Sequence, residues 1–367
     1  MVVILAAAIF MLAIAVWNAI AWPAIQQQGA ASGSTLSILI PARNEEENLP
    51  ECLEAAMRQS PSVCEILVYD DHSTDRTSAV VADFARRDPR VRVLPPVDLP
   101  EGWHGKAFAC SRLAEAARGE WMLFLDADAR LTGDVAASIV AEAEARAVTL
   151  LSPWPGLELV GAAERLLMPL LNVVVFTLFP APLSLRYRLP SLGLAHGACI
   201  LVRRQEYEMV GGHALVRGEI FEDTALARAW RASGMAGICL DGRRVVRVRM
   251  YRSFSGIWRG FQKNFYLAFR RPASFWLFLF LHFAVFVLPA PLALASLGRG
   301  AGDPSPWLAL AAGWAIRLIQ AARFGYPAWS ALAHPFSEAV LIALGVSSWY
   351  RVRLGGGVEW KGRRYRG

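Results

Sequence analysis

Between residues 36 and 125, short apolar runs alternate with longer helix-like stretches, and no other feature limits the fold as tightly. Residues 36–40, 65–69, 91–94 and 121–125 read as strands, and residues 46–59, 75–87 and 106–117 as helices. A hairpin needs only a two-residue link, whereas a parallel return needs a crossover of a dozen residues or more. The predicted class is therefore α/β, a mainly parallel Rossmann-like sheet with helices on both faces.

Such sheets bind ligands beyond the C-terminal ends of their strands, so the residues leaving each strand carry the argument. The first strand runs into Pro41-Ala42-Arg43-Asn44-Glu45 and the second into Asp70-Asp71-His72-Ser73-Thr74-Asp75. Asn44, and one of Ser73, Thr74 or Asp75, stand where they would cap the helices that follow. The fourth strand ends in Asp126-Ala127-Asp128. Two readings fit that triplet alone: an acidic turn closing a strand, or two oxygen ligands for a hard cation such as Mg²⁺ or Mn²⁺ whose other partners are substrate phosphates. Neither G-x-G-x-x-G nor G-x-x-x-x-G-K-[ST] occurs at these turns, so neither fingerprint applies. In Gly102-Trp103-His104-Gly105-Lys106 the glycines allow a tight turn. Lys106 then stands near a helix start, where an anion binds, or is an exposed loop lysine.

Further along, an alanine-rich helix follows Asp134, and residues 148–151 read as a strand. His196 precedes an apolar run and reads either as a ligand-contacting group or as a satisfied structural histidine. His213 reads as a loop residue. Residues 221–233 read as a helix with Glu222 and Asp223 in the first turn, where the helix dipole favours acids whatever their use.

Composition adds a second compartment, because 55% hydrophobic residues is too apolar for an ordinary soluble chain of 367 residues. Residues 1–22 form an expected transmembrane anchor, uncharged from Met1 to Ala21 and without the basic start of a cleaved signal. Residues 23–35 form an expected linker, 36–250 the α/β domain, 251–272 an interfacial basic helix, 273–350 two or three transmembrane helices, and 351–367 a basic tail. Arg317, His334, Pro335 and Glu338 interrupt the later apolar stretches, so one of them falls short of spanning. Residues 157–185 are apolar but broken by Pro169, Pro180 and Pro182. That suits a segment lying on the bilayer surface as an acceptor platform, or one packed in the globular core.

Nine Lys or Arg and no acid occupy residues 243–271, which by the positive-inside rule places the α/β domain on the cytoplasmic face of the cell membrane. The net charge of +7 gathers beside membrane segments, pointing to anionic lipid and not to nucleic acid. Five scattered cysteines without a C-x-x-C pair fit a reducing compartment and no structural zinc.

Taken in order, residues 37–45, the run 70–75, Asp126-Ala127-Asp128 and Phe221-Glu222-Asp223 resemble family 2 glycosyltransferases, which have the GT-A fold. The resemblance implies that Pro41, Arg43, Glu45, Asp70 and Asp71 hold base and ribose of a nucleotide-sugar donor. It implies that Asp126 and Asp128 bind Mg²⁺ or Mn²⁺ bridging to the donor diphosphate, and that Asp223 is the catalytic base of an inverting, single-displacement transfer. The 102–106 motif is similar to that of a membrane-bound subgroup including carotenoid-acid and hopanoid-associated glycosyltransferases. There Lys106 approaches the donor phosphates and Trp103 lines the pocket, with His196 and Glu222 on the acceptor side. Polymerising and ceramide relatives carry Q-x-x-R-W, but this chain has Gln262-Lys263-Asn264-Phe265-Tyr266, which argues against processive synthesis and leaves Gln262 as an acceptor-side candidate. The expected donor is a UDP-sugar, by default UDP-glucose, and the expected acceptor a lipid. Alternative expectations are polyprenyl-phosphate or ceramide transfer, and a lipid-binding scaffold on a decayed transferase fold.

Overall fold

The computed structural model describes residues 1–27, 33–269, 271–297 and 303–355, together with the backbone alone of 358–360 and 363–365. Parts of the expected linker and of the basic tail therefore lie outside the described residues. In chain order the elements are α1 (Val2–Ala21), β1 (Leu36–Ala42), α2 (Leu49–Met57), β2 (Val63–Asp70), α3 (Thr77–Arg87), β3 (Val91–Leu94), α4 (Gly105–Ala116) and β4 (Trp121–Leu125). Then come β5 (Ala129–Leu131), α5 (Ala136–Ala145), β6 (Leu150–Trp154), β7 (Gly156–Leu157), α6 (Ala162–Leu167), α7 (Leu170–Leu178), α8 (Ala181–Arg186), β8 (Cys199–Arg203), α9 (Arg204–Val210), α10 (Glu222–Ala232), β9 (Gly237–Asp241) and β10 (Val246–Val248). The chain continues through α11 (Phe254–Asn264), α12 (Pro272–His282), α13 (Pro289–Ser296), α14 (Ser305–Phe324), α15 (Trp329–Leu332) and α16 (His334–Arg353).

These elements divide into two compact units, one of Pro23–Glu158 with Leu183–Met250 and one of Met1–Trp22, Leu159–Pro182 and Tyr251–Gly367. The first is built on a seven-stranded sheet of order β3-β2-β1-β4-β8-β6-β9. Its pairings are parallel except at β8, which runs antiparallel to both β4 and β6. A smaller sheet, β5-β10-β7, lies beside it.

The central strands are mostly apolar because both of their faces are covered. Ile38, Ile40, Ile66, Val68, Leu123 and Leu125 enter one core with the residues of α2, α3 and α5. Their alternates Leu39, Leu67, Met122 and Phe124 enter the other with Phe108, Leu113, Leu226 and Trp230 of α4 and α10. This two-residue period decides the site, because Asp126 follows Leu125 and so falls toward the face that α4 and α10 cover.

The helices after β1 and β2 begin later than the sequence suggests. Asn44, at φ 52°, does not cap α2; its Oδ1 accepts the Thr74 N–H at 2.8 Å from the neighbouring loop. Asn44 N–H in turn donates to Ser73 Oγ at 2.9 Å, and Glu45 N–H to Thr77 Oγ1 at 2.8 Å. Asp75 Oδ1 does receive the Thr77 N–H at the start of α3, at 3.0 Å. The polar residues are spent on joining two loops, and α2 waits for Leu49 with Pro50 in its first turn.

In the helical unit Asn18 of α1 is fully buried and donates from Nδ2 to the carbonyls of Phe176 (3.0 Å) and Phe179 (2.8 Å). Its Oδ1 accepts the Ala181 N–H at 2.9 Å, so one side chain satisfies the end of α7. Val173 and Phe176 of that segment are buried, and Asn172 donates to Tyr326 Oη at 2.7 Å. His282 Nδ1 lies 2.9 Å from Glu338 Oε2, bolting α12 to α16. Among the described residues two helices are long and apolar enough to cross a membrane, Val2–Ala21 and the continuous Pro272–Ser296.

Candidate functional site

Pairing register assembles the site. β4 and β8 run antiparallel with Leu125 opposite Cys199, so the chain beyond each strand stays in contact: Asp126 N–H donates to Ala198 O at 3.1 Å. This sets Asp126 beside Gly197. From the covering face, the first turns of α4 and α10 present Lys106, Glu222 and Asp223.

Lys106 Nζ joins these pieces. It lies 2.8 Å from Asp126 Oδ1, 2.9 Å from Asp126 Oδ2 and 3.0 Å from Glu222 Oε1. Burial would lower its pKa, but the two carboxylates outweigh that and hold it well above the usual lysine value, so it is a fixed cation. Glu222, though buried, is held below its usual value by the same ammonium. An exposed loop lysine is thereby excluded.

Asp223 faces the opposite influence. Its Oδ2 accepts the Gly197 N–H at 2.7 Å and its Oδ1 the Thr224 N–H at 2.6 Å. Burial first, and then neighbouring Glu222, push it up to about 7, against the counter-pull of Lys106. A carboxylate poised near neutrality is what general-base chemistry requires. Gly197 makes this geometry attainable: a Cβ there would lie 2.7 Å from Lys106 Nζ, 3.3 Å from Asp223 Oδ2 and 3.7 Å from Asp126 Oδ2. The sequence reading passed over Gly197, since only the packing shows why a side chain is excluded.

His196 stands next to that glycine. Its Nδ1 accepts the Ala198 N–H at 3.1 Å, which leaves Nε2 to carry the proton of the neutral ring. Burial and then Lys106 press it down to about 3, so it is a neutral donor braced edge-on against Trp154 at 4.9 Å. His213 is not a plain loop residue: it is buried, its Nδ1 lies 2.9 Å from Tyr207 Oη, and it packs on Phe124 of β4. Burial presses it down to about 4.

The remaining donor-side candidates lie at the ends of β1 and β2. Arg43 Nη1 donates to Asp71 O at 2.6 Å and stands 3.8 Å from the Asp71 carboxylate. Asp70 is buried, taking the Ser73 N–H at 3.1 Å and the Ser78 hydroxyl, while Pro41 belongs to β1 and Glu45 accepts from Asn48 at 2.9 Å. Trp103 packs edge-on to Phe108 of α4 at 5.5 Å. Asp128 lies just past β4, its carbonyl accepting from Arg249 N–H at 3.4 Å and Arg130 at 3.3 Å. Gln262 belongs to the helical unit, where its amide donates to Ser347 of α16.

Among the described residues no group of three or more His, Cys, Asp or Glu is arranged to hold a metal ion. The donor set fits a different mode of binding. Two carboxylates one residue apart at a strand edge suit a cation that keeps waters and takes its other ligands from substrate phosphates.

A mainly parallel seven-stranded sheet with acids at the C-terminal ends of β1, β2 and β4 is the arrangement of the GT-A fold. Residues 37–210 match the profile "Glycosyl transferase family 2", and that stretch is a family 2 glycosyltransferase domain. Two similar proteins are named 4,4'-diaponeurosporenoate glycosyltransferase. The one from Staphylococcus haemolyticus is 28% identical over 63% of this chain and 60% of its own length. The one from Staphylococcus aureus is 26% identical over 62% of this chain and 60% of its own length. The chain thus spans about 60% of the length of these curated relatives. Among solved structures, a mannosyltransferase from Pyrobaculum calidifontis in complex with GDP-Man and Mn²⁺ aligns with a TM-score of 0.54. It covers 95% of this chain and 99% of its own at 21% identity, a likeness of fold.

Proposed function

We propose that this protein is a membrane-bound inverting glycosyltransferase moving one sugar, by default glucose from UDP-glucose, to a lipophilic acceptor on the cytoplasmic face. The observation that carries the reading is the convergence of Lys106, Asp126, Glu222 and Asp223 around Gly197 at the ligand-binding edge of the sheet. The acceptor class favoured is a carotenoid-type carboxylic acid, supported by the names of the two staphylococcal relatives. Those relatives lend no support to a hopanoid acceptor.

In this reading Pro41, Arg43, Glu45, Asp70 and Asp71 border the base and ribose, and the stitched loops keep that wall rigid. Asp126 and Asp128 would hold Mg²⁺ or Mn²⁺, which when bound supplies Lewis-acid stabilisation of the departing diphosphate. Lys106 adds a second positive charge against the same leaving group. Neutral His196 offers its Nε2–H to a sugar hydroxyl or phosphate oxygen, and Trp103 lines the approach. Asp223 takes the proton when the acceptor is a hydroxyl. A carboxylic-acid acceptor is already ionised at neutral pH and needs no base, so Asp223 is not required for proton removal in that transfer. Membrane anchorage would give the enzyme access to a bilayer-dissolved acceptor, a reading supported by the two helices long and apolar enough to span.

The test is transfer from radiolabelled UDP-sugars to a carotenoid acid by purified protein with Mn²⁺ or Mg²⁺. Asp128→Ala should abolish metal-dependent UDP binding while leaving the melting temperature within a degree or two. Absence of both transfer and metal-dependent UDP binding in the unaltered protein overturns the reading.

A further inference from the structure

The Lys106 ammonium sits where a metal ligand must be open. Both oxygens of Asp126 are within 2.9 Å of Nζ, and the buried Glu222 carboxylate holds the same nitrogen at 3.0 Å. The seat is shaped for it, since any side chain at Gly197 would come within 2.7 Å of Nζ. A divalent ion contacting Asp126 would lie against this ammonium, and among the described residues no group of three or more His, Cys, Asp or Glu is arranged to hold the ion by itself. The nitrogen is nevertheless not locked in place. The lysine side chain is 37% exposed, on a flexible stem whose charge pairs with phosphate as readily as with carboxylate.

We infer that Lys106 is a tethered counter-cation that keeps a divalent ion off Asp126 until a nucleoside diphosphate arrives, so that metal and nucleotide bind as a coupled pair. This rests on the proposed function and goes beyond it. An arriving diphosphate would draw Nζ away from Asp126 and so free that carboxylate to serve as a ligand. Coupling of this kind is reciprocal: UDP raises the affinity for the metal by the factor by which the metal raises that for UDP. Glu222 has a positioning part, returning Nζ to its resting place when the nucleotide leaves.

The experiment is titration of the full chain in detergent with Mn²⁺, with and without UDP, following free Mn²⁺ by electron paramagnetic resonance. The unaltered protein should bind Mn²⁺ at least tenfold more tightly with UDP present. Lys106→Met should bind Mn²⁺ alone at least tenfold more tightly than the unaltered protein, about 1.4 kcal/mol, and gain little more from UDP. Lys106→Gln serves as a second neutral variant should Lys106→Met not fold, and Lys106→Arg, keeping the charge, should stay close to the original. If both neutral variants bind Mn²⁺ alone no better than the original while UDP still promotes binding in the original, this inference falls and the proposed function stands. If the original binds no Mn²⁺ even with UDP, the metal reading falls and takes this inference with it.

Discussion

Replacing Gly197 by Ala should separate catalysis from stability. The new methyl carbon would stand 2.7 Å from Lys106 Nζ, which forces a displacement, but the obstructed atom is the end of a flexible and partly exposed side chain. Relief therefore comes from moving the ammonium and not the sheet. The cost in folding free energy should fall near the lower end of the overpacking range, about 1 kcal/mol, a drop of roughly 2–4 °C in melting temperature for a unit of this size. Function has no such relief. The methyl carbon would also stand 3.3 Å from Asp223 Oδ2 and 3.7 Å from Asp126 Oδ2, narrowing the space at the reacting edge that both carboxylates share. A displacement near 1 Å at a reacting site costs about 100-fold in rate. Initial rates of sugar transfer beside a thermal melt of the same preparation would measure both. Full activity in Gly197→Ala, or a loss of activity that merely follows unfolding, would refute the reasoning.

Two further outcomes follow from named groups. Asp223 has its carboxyl raised to about 7 by burial and Glu222, so transfer to a hydroxyl acceptor should rise with pH through about 7 and then level. A raised carboxyl opposes folding once it ionises, and the opposition grows from the usual carboxylate range up to about pH 7. Asp223→Asn should accordingly abolish that transfer yet melt higher than the original at pH 8, while turnover of a carboxylic-acid acceptor persists. Asn18→Leu removes three hydrogen bonds at a fully buried position in the helical unit. It should cost about 2–4 kcal/mol, seen as a lower melting temperature in detergent with UDP binding unchanged.

The legible parts of the chain were those whose cause is local. β4 coincides with residues 121–125 because an apolar run buried on both faces begins and ends where the apolar residues do, and the half-exposed edge strand β3 coincides with residues 91–94. The acids at the strand ends were legible for the same reason, since sheet topology alone assigns them to one edge. Asn44 was misjudged as a cap because its partner Thr74 belongs to another loop, and no local rule reveals a cross-loop bond. Asn18 closes the end of α7 far along the chain, and nothing in an uncharged anchor sequence points to that partner. Gly197 and His213 were opaque in the same way: one is defined by the atoms that would collide with a side chain, the other by a buried tyrosine hydroxyl.

The antiparallel pairing of β8 with β4 also bears on how the site is born. Lys106 and Asp126 emerge early in synthesis, but Gly197 reaches them only after Cys199 docks opposite Leu125, closing a loop that includes Leu159–Pro182, which belongs to the helical unit. Closing so long a loop is entropically costly and slow. Nucleotide binding in this protein should therefore be a late event in folding, and the appearance of UDP affinity a clock for the moment at which the sheet is complete.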